Sequence, residues 1–534
     1  MAISVLPFST SLRAQEPAPA AASSAQRSFP ILEYRIEGNT LLPRIDIERA
    51  VTPYLGPDRS IKDVEAARQG LEKRYHDRGY QTVLVNIPQQ EISAGIVRLT
   101  VIEAPVGRLE VKGSRFHSLQ VIRLTIPELA PGVTPDFRLA QQQLADLNRS
   151  QDLHVTPVLR ASMTPGQVDV DLDVQDQLPL HESLEVNNRY SPNTAHLRVI
   201  GELSYDNLFQ RNQSASIQYQ IAPEDPPNAE IWSVSYVIPT GGGPVLALYV
   251  LHSDSNIAAV GDLNVIGNGR IYGARFIAPL ASASANFFHN VTVGFDYKDF
   301  RQNVTLQGSD VAASPAAYPP FSLQYTATWL GVQDTAQHAA AATTGARSST
   351  TLDAGLSFLV RGFFTNAAQF STKRAGAGPS FAILRPALQR QQLLIDDWSL
   401  VTKLEGQLAS GPLISNEQYG AGGVDSVRGY AESERLGDDG VRESIELRTP
   451  QLLARRAPHF EQSYLYAFAD AAQLTITDPL PGQISTYHLD SVGIGLRLKL
   501  GGLSVDLDGA RAGTAGYITR AGSYSAQFRI NYSH

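Results

Sequence analysis

The stretch Glu405–Pro450 decides the fold; it reads EGQLASGPLISNEQYGAGGVDSVRGYAESERLGDDGVRESIELRTP. Its last part alternates strictly, with Arg442, Ser444, Glu446 and Arg448 on one face and Val441, Glu443, Ile445 and Leu447 on the other. A period of two, with one charged and one mostly apolar face, indicates a β-strand. In the preceding segment Arg428 lies between glycines at 420, 422, 423 and 429, where the backbone is free to fold back on itself. Taken alone, Val427-Arg428-Gly429-Tyr430 also fits an ordinary surface hairpin loop.

The same alternation continues from about His181 to the carboxyl terminus. Tyr524–Tyr532, for example, sets Tyr524, Ala526, Phe528, Ile530 and Tyr532 against Ser525, Gln527, Arg529 and Asn531. A soluble sheet with one wet face would show this pattern over a short stretch. Its persistence over some 350 residues, with aromatic strand ends, short turns and a charged inner face, favours a transmembrane β-barrel with a wet lumen. No apolar run reaches the roughly 18–20 residues of a membrane helix.

The predicted barrel, residues 181–534, has sixteen strands, an even number being expected for such barrels. The strands are predicted to begin near residues 182, 196, 213, 229, 244, 271, 288, 322, 349, 379, 396, 441, 463, 488, 502 and 524. Sixteen strands leave a lumen wide enough for an aqueous channel. The longest connections, 299–320, 333–348, 361–378 and 409–440, are expected as extracellular loops.

The amino-terminal third reads as two β-α-α-β-β repeats, residues 30–104 and 105–177. In the first, Ile31–Glu37 is a strand, Ser60 caps a helix, and Thr82–Pro88 and Ile96–Glu103 are strands. In the second, Gly107–Lys112 is a strand, and a helix is predicted to open with Thr134 as its cap and Pro135 at its first position. The strands His154–Ala161 and Gln167–Val174 complete it.

Composition narrows the function classes. The chain has 534 residues, a net charge of −8 and no cysteine, which excludes disulfides, thiol nucleophiles and Cys-ligated metals. No Lys/Arg run suits nucleic acid. Residues 1–29 are expected to be a signal remnant, cleaved near Ala14, and a disordered Pro/Ala/Ser-rich leader.

The segment Gly422-Gly423-Val424-Asp425-Ser426-Val427-Arg428-Gly429-Tyr430 resembles the Gly-Gly-x-x-Ser-Val-Arg-Gly-Tyr motif of outer-membrane two-partner secretion transporters, where it is an extracellular loop tucked into the barrel lumen. Phe468-x-Asp470 resembles the same family's Phe-x-Asp-x-Gly strand motif, whose aspartate pairs with the loop arginine, although Ala472 replaces the glycine. The family usually ends in an aromatic residue, whereas this chain ends in Tyr532-Ser533-His534. Because a buried guanidinium needs a carboxylate, we expect Arg428 to reach Asp470 first and Glu446 next.

The two amino-terminal repeats resemble POTRA domains, the periplasmic modules of this family. In the first repeat the match lies in Glu37-Gly38-Asn39, Tyr75, Gly79-Tyr80, Pro88-Gln89, Gly95 and Val101-x-Glu103. The resemblance implies that they receive unfolded substrate. It also implies that the second strand of the second repeat lies at a sheet edge, where it can add a substrate strand; the residues are His154, Val155, Thr156, Val158, Leu159 and Arg160. Many relatives carry an amino-terminal plug helix, but the short leader here predicts none.

The resemblance implies export of a large exoprotein, adhesin or haemolysin-like, bound unfolded and passed through a lipid-embedded barrel. No catalytic, metal-ligand or nucleotide-binding motif is present in the sequence, so no enzyme activity, metal, cofactor, nucleotide or nucleic acid is expected. The alternative is a barrel-assembly insertase, which shares the arginine loop but usually has more POTRA repeats. A passive porin would leave both the repeats and the arginine motif unexplained. The last strand, Tyr524–Tyr532, alternates over its whole length and can sustain a full ladder with the first, Glu182–Tyr190, which predicts a closed seam.

Overall fold

The computed structural model describes residues 28–92, 94–226, 230–240, 243–254, 258–260, 263–265, 268–306, 309–331, 347–453 and 459–534. The chain divides between Leu178 and Pro179 into two compact units. Residues 1–27, which hold nearly all of the expected leader, its cleavage site and any plug, lie outside the described residues. None of the helices in the described part of the chain has the length and apolar character to span a bilayer.

The first unit consists of two small α+β repeats, each with its own apolar core. The first repeat contains β1 Phe29–Ile31, β2 Glu33–Glu37, α1 Arg44–Val51, β3 Gly56–Arg59, α2 Ile61–Asp77, β4 Val83–Asn86 and β5 Ile96–Glu103. The second contains β6 Val106–Lys112, α3 Leu119–Thr125, α4 Phe137–Leu147, β7 Leu153–Ala161 and β8 Val168–Asp176. The two main sheets, β2-β5-β4 and β6-β8-β7, have the same order, with the repeat's last strand in the centre and parallel to β2 or β6. The internal repeat read from the sequence is therefore present in the topology.

The two predicted helix starts had different outcomes. Ser60 caps α2 in a capping box with Asp63, as predicted. The predicted cap at Thr134 is wrong, because Asp136 takes that position and its side chain accepts a hydrogen bond from the amide of Arg138 at 2.9 Å. The Thr134 hydroxyl instead donates to the carbonyl of Glu103, and Pro135 therefore precedes the helix.

Asp176, at the end of β8, organises the turn that follows β6. Its carboxylate accepts hydrogen bonds from the amides of Arg115, Phe116 and His117 at 2.7–3.0 Å and from the hydroxyl of Ser114. Burial alone would raise the pKa of Asp176, but the hydrogen bonds, those from the Phe116 and Arg115 amides first, lower it to about 2. This carboxylate is thus an acid-sensitive support of the second repeat.

The second unit is a closed antiparallel barrel. Its first half contains β9 Leu180–Asn187, β10 Arg198–Leu208, β11 Gln213–Ile221, β12 Ile231–Pro239, β13 Val245–Ser253, the small hairpin β14 Ala258–Val260 and β15 Leu263–Val265, β16 Gly269–Pro279, β17 Phe287–Leu306, β18 Ser309–Tyr318 and β19 Phe321–Gly331. Its second half contains β20 Ser348–Leu359, α5 Ala367–Lys373, β21 Phe381–Leu393, β22 Ser399–Ala409, the small hairpin β23 Tyr419–Ala421 and β24 Arg435–Gly437, β25 Asp439–Arg448, β26 Phe460–Thr475, β27 Thr486–Leu500, β28 Leu503–Ala512 and β29 Tyr524–Ser533.

The barrel has sixteen strands, which confirms the predicted number. β18 and β19 both run antiparallel to β17, one beside its end and the other beside its start. They count as one strand that is interrupted at Pro319-Pro320, where neither residue has an N–H to offer a ladder. The observed strand starts lie within a few residues of the predicted ones, apart from the strand predicted at 322, which begins at Ser309.

Two predicted loops are corrected. Residues 299–320 are mostly the paired strands β17 and β18 rather than a loop, because the alternation there was too irregular to reveal a strand pair. The connection 333–348 lies largely outside the described residues, but β19 and β20, which flank it, come together at Gly331 and Ser348. That is the end of the barrel at which β9 begins, which we call the entry end; the other end is the far end. This connection was therefore predicted at the wrong end.

The seam between β9 and β29 is closed but shorter than the full ladder expected. It runs over five residue pairs, from Arg529↔Asn187 to Ser533↔Ser183. Backbone hydrogen bonds continue the seam at both ends, between Glu182 and His534 and from the Asn188 amide to the Phe528 carbonyl at 3.3 Å. The Asn188 side chain adds two more, accepting from the Phe528 amide at 2.8 Å and donating to the Ala526 carbonyl at 2.9 Å.

Candidate functional site

The segment that joins β22 to β25, residues 410–438, folds back into the barrel lumen; we call it the lumenal loop. Val427, Arg428 and Tyr430 at its tip are almost completely buried. The short strands β23 and β24 pair with each other and not with the wall. The loop therefore occupies the lumen as a separate hairpin, held to the wall largely by side chains.

The Arg428 guanidinium lies between two neighbouring strands, β25 and β26. Its Nε and Nη2 donate to the two oxygens of Asp470, each at 2.7 Å, and its backbone amide donates to the same carboxylate at 3.1 Å. Nη1 donates to Glu446 at 2.6 Å, and Nη2 also donates to the Ser444 hydroxyl at 3.0 Å. In the β25–β26 register Ser444 lies opposite Asp470 and Glu446 opposite Phe468. The pairing of these two strands therefore brings together the four wall residues that contact the arginine.

The contact between Arg428 and Asp470 is bidentate and is shielded from solvent. The Arg428 side chain is 4% exposed and that of Asp470 is fully buried. The guanidinium carbon also lies 3.6 Å from the centre of the Phe468 ring, a geometry that favours a cation above an aromatic face. A buried charge of either sign is costly without its partner, so the two residues depend on each other.

Gly429 and Tyr430 continue the contact toward the last strands. Gly429 has a φ of +97°, and a side chain there would crowd the Cβ of Ala510, so glycine is required on both grounds. The Tyr430 hydroxyl lies 2.9 Å from the carbonyl of Asp490 and 2.8 Å from that of Thr514. Val427 and Tyr430 pack in one apolar cluster with Ala472 and Leu474 of β26. Ala472, which replaces the glycine of the motif, is thus accommodated by packing against the loop.

All the site residues predicted in the barrel therefore come together: Val427, Arg428, Gly429 and Tyr430 on the loop, and Glu446, Phe468 and Asp470 on the wall. Ser444 was not predicted, although it shares the lumen face of β25 with Glu446. That face was visible in the sequence, and the position opposite Asp470 follows once the register is known.

A second buried arginine pair was missed by sequence reasoning. Arg374, just after α5, makes two hydrogen bonds to the fully buried carboxylate of Asp438, at the end of the lumenal loop. Asp438 also accepts from the amides of Leu413 at 2.9 Å and Thr477 at 2.7 Å. From the sequence, Asp438-Asp439-Gly440 predicts only a turn. Nothing local in the sequence links it to Arg374, which lies 64 residues away.

The lumenal loop also ties the two sides of the seam. Arg189, just beyond β9, pairs with Asp425 and with Glu432, the latter at 3.0 Å. On the other side Glu434 accepts from the amides of Ile518 at 2.8 Å and Thr519 at 2.7 Å, in the turn between β28 and β29.

The predicted edge strand is β7, which lies at the edge of the sheet β6-β8-β7. His154, Thr156, Leu159 and Arg160 have exposed side chains, whereas Val155 is buried in the core of the repeat. The Val155 backbone is also engaged, because its amide donates to the Asn148 side chain at 2.7 Å and its carbonyl accepts from it at 3.0 Å. Arg160 pairs with the buried Asp171 of β8 at 2.6 Å, so its side chain is already engaged.

The entry end of the lumen contains a cavity of about 900 Å³. Its lining is mostly polar and includes Gln391, Ser399, Arg448, Gln462 and Tyr464. Amide, hydroxyl and guanidinium groups can hydrogen-bond to any peptide backbone without selecting a side chain. We call this cavity the vestibule.

Comparisons with known proteins agree with this arrangement. Residues 29–104 match the family model described as POTRA domain, ShlB-type, and residues 166–498 match that described as haemolysin secretion/activation protein ShlB/FhaC/HecB. The chain is 26% identical over 181 residues to the outer membrane transporter CdiB of Dickeya dadantii (strain 3937), a stretch that is 34% of this chain and 32% of that protein. It is 22% identical over 183 residues to CdiB of Escherichia coli O6:K15:H31 (strain 536 / UPEC), 34% of this chain and 30% of that protein. The alignments thus span about a third of the length of these curated relatives.

Among solved structures, CdiB from Escherichia coli matches with a TM-score of 0.61 and 17% identity, covering 97% of this chain and 93% of the other. BamA from Haemophilus ducreyi lacking POTRA domains 1-3 matches with a TM-score of 0.54 and 14% identity, covering 95% of this chain and 100% of the other. At such identities the likeness establishes the fold.

Proposed function

The chain belongs to the haemolysin secretion/activation family of ShlB, FhaC and HecB, and from this premise we propose that it exports a polypeptide through its barrel. It is an outer-membrane protein, with the entry end and the two POTRA-type repeats on the periplasmic side and the far end outside. The exported chain enters the vestibule, displaces the lumenal loop and leaves at the far end.

The observation that carries the proposal is how the lumenal loop is held. Its hairpin pairs with itself, and the wall on either side is complete because β22 pairs directly with β25. The loop can therefore leave the lumen by breaking side-chain contacts, above all those of Arg428, without opening the barrel. A pore that is filled by a removable element is the architecture of a gated channel.

Substrate reception falls to β7 in this proposal. An extended segment of the substrate adds to the open edge as a fourth strand, through backbone groups that the sheet leaves unpaired. Pro157 offers no N–H and weakens pairing at one point, which limits edge-to-edge association of the protein with itself. His154, Val155, Thr156, Val158, Leu159 and Arg160 are the residues that would flank the added strand.

The partner is a large secreted exoprotein, of adhesin or haemolysin type, that arrives unfolded. The barrel wall faces outer-membrane lipid. Export uses no nucleotide, and folding of the partner outside the cell supplies its direction. Removal of this chain should leave the partner in the periplasm, and a plasmid copy should restore its release to the medium. Partner released at an unchanged level from cells without the chain would refute the proposal.

A barrel-assembly insertase is the second candidate, and one observation favours it. The seam has only five ladder pairs, and an insertase acts at such a seam. The lumenal vestibule and the two POTRA-type repeats favour export.

A further inference from the structure

The far end of the lumen contains an apolar cluster, which we call the mouth cluster. Its wall residues come from seven strands, β12, β13, β16, β17, β18, β20 and β21, and all lie near the far end; they are Ile231, Leu251, Ile271, Phe300, Ala316, Tyr318, Leu359, Phe381 and Ile383. A water-filled lumen gives no reason for such side chains on the inner face. They are dry because other residues cover them.

Two of the four residues that cover the wall side chains belong to the segment 361–378 between β20 and β21, which we call the lid. Phe370 of α5 is 1% exposed, and its ring centre lies 5.3 Å from that of Tyr318. Ala377, after the helix, is also buried in the cluster. The Gln369 side chain accepts from the Ala317 amide at 3.2 Å, which fixes the helix against β18. The remaining cover comes from Leu413 and Ile414 of the lumenal loop.

A polar rim borders the mouth cluster on the side of the lumenal loop. Glu417, which is almost fully buried, accepts from the Lys298 ammonium at 2.5 Å and from the Tyr318 hydroxyl at 2.7 Å. The same tyrosine therefore packs against the lid and bonds to the loop. Movement of either element disturbs the surroundings of the other.

Arg374 joins the lid to the lumenal loop directly. It pairs with Asp438 and donates to the carbonyls of Leu413 at 2.6 Å and Thr477 at 2.8 Å. One side chain at the end of α5 thus holds three segments, the lid, the lumenal loop and the turn after β26. Because Asp438 is fully buried, loss of Arg374 leaves a dry carboxylate without its counter-charge.

We propose that the lid is the exit gate for the exported chain and that Arg374 is the positioning residue that latches it to the lumenal loop through Asp438. This inference rests on the proposed function, since a gate needs cargo. A polypeptide cannot pass a packed apolar cluster, so the lid must swing outward. Release of the Arg428 contact alone leaves the lid packed on the mouth cluster, and export therefore needs two openings in series.

Conductance in a planar bilayer tests the gate without any partner. Arg374→Ala should raise the open probability of the purified barrel at least several-fold. Phe370→Ala should have the same effect, because it removes the ring that packs on Tyr318 and leaves a cavity in the mouth cluster. Arg361→Ala, at an exposed position of the same lid, is the matched control and should leave the open probability unchanged. If neither Arg374→Ala nor Phe370→Ala alters conductance in a barrel that remains folded, the gate is refuted.

A reversible lock tests passage. A cysteine pair joining the lid to β18 is chosen with Cα atoms about 4.4–6.8 Å apart, in a chain that has no native cysteine. The oxidised form should stop export and the reduced form should restore it to the level of the single-cysteine controls. Export that continues with the lid locked would overturn the inference. If the wild-type protein exports nothing either, the proposed function is refuted. The conductance measurement, which needs no partner, then decides by itself whether the lid gates the pore.

Discussion

Arg428 and Asp470 lie in bidentate contact inside the barrel, with both hydrogen bonds at 2.7 Å and both side chains almost free of solvent. The arginine belongs to a loop that makes no strand pairs with the wall, and the aspartate to the wall itself. Their contact therefore fixes the tip of the loop to the wall, and the account of export depends on its being broken and remade.

Arg428→Ala should abolish or strongly reduce export while the barrel remains inserted. Removing one partner of a buried ion pair costs about 3–5 kcal/mol. Because the strand pairing of the wall does not involve Arg428, this cost destabilises the lumenal position of the loop and not the barrel. The assay is partner release against the amount of heat-resistant, membrane-embedded barrel. Arg390→Ala, an exposed arginine of β21 on the same face as the lipid-side Leu388, is the control and should export normally. Unimpaired export by Arg428→Ala would contradict the role given to the loop.

The open edge of β7 predicts where the substrate docks. A photo-crosslinking residue at Thr156 or Val158 should capture the partner in the periplasm, because an added strand runs alongside these positions. The same residue at Gln142, an exposed position of α4, is the control. Capture at Gln142 with none along β7 would show that the helical face, rather than the sheet edge, receives the substrate.

The second repeat should lose stability in acid through Asp176. Its folded pKa, about 2, lies below the ordinary value of 3.8, so its contribution is present above pH 4 and is lost as the pH falls toward 2. A shift of this size is worth roughly 2 kcal/mol. Denaturant unfolding of residues 28–178 between pH 5 and pH 2 measures it. Asp176→Asn should show a correspondingly smaller loss, and an identical pH dependence in the two proteins would be inconsistent with the assignment.

A locked seam separates exporter from insertase. Val186 and Ile530 face each other across the seam, and paired Cα atoms in antiparallel strands are about 4.5–5.5 Å apart, within reach of a disulfide. The oxidised Val186→Cys/Ile530→Cys barrel should export as well as the reduced one, because the substrate leaves through the lumen. Loss of export on oxidation, or depletion of many unrelated barrels when the chain is removed, would favour the insertase.

Much of the barrel was predictable because strand alternation is local. The lumen face of β26 could be read from Tyr464, Tyr466, Phe468 and Asp470, and the contact between Asp470 and Arg428 followed from the family motif. The Arg374–Asp438 pair could not be predicted, because it joins two irregular segments that have no periodicity. It depends on how the lid folds into the mouth, which is a tertiary property.

Two other misses also have tertiary causes. Thr134 and Asp136 are both good helix caps, and the choice between them was decided by a tertiary hydrogen bond from Thr134 to Glu103. The seam was expected to run the full length of β29, but the first strand ends early at Asn187 because Arg189 turns toward the lumenal loop. Neither contact leaves a pattern in the nearby sequence.

The central claim is that the substrate passes through the lumen, and two adjacent residues test it most directly. Tyr464 lines the vestibule, whereas Leu465, next on the same strand, points to the lipid side and is 47% exposed. A photo-crosslinking residue at each position should be irradiated while a stalled partner occupies the barrel. The account predicts a crosslink from position 464 and none from position 465. A crosslink from 465 without one from 464 would place the substrate outside the barrel and contradict export through the lumen.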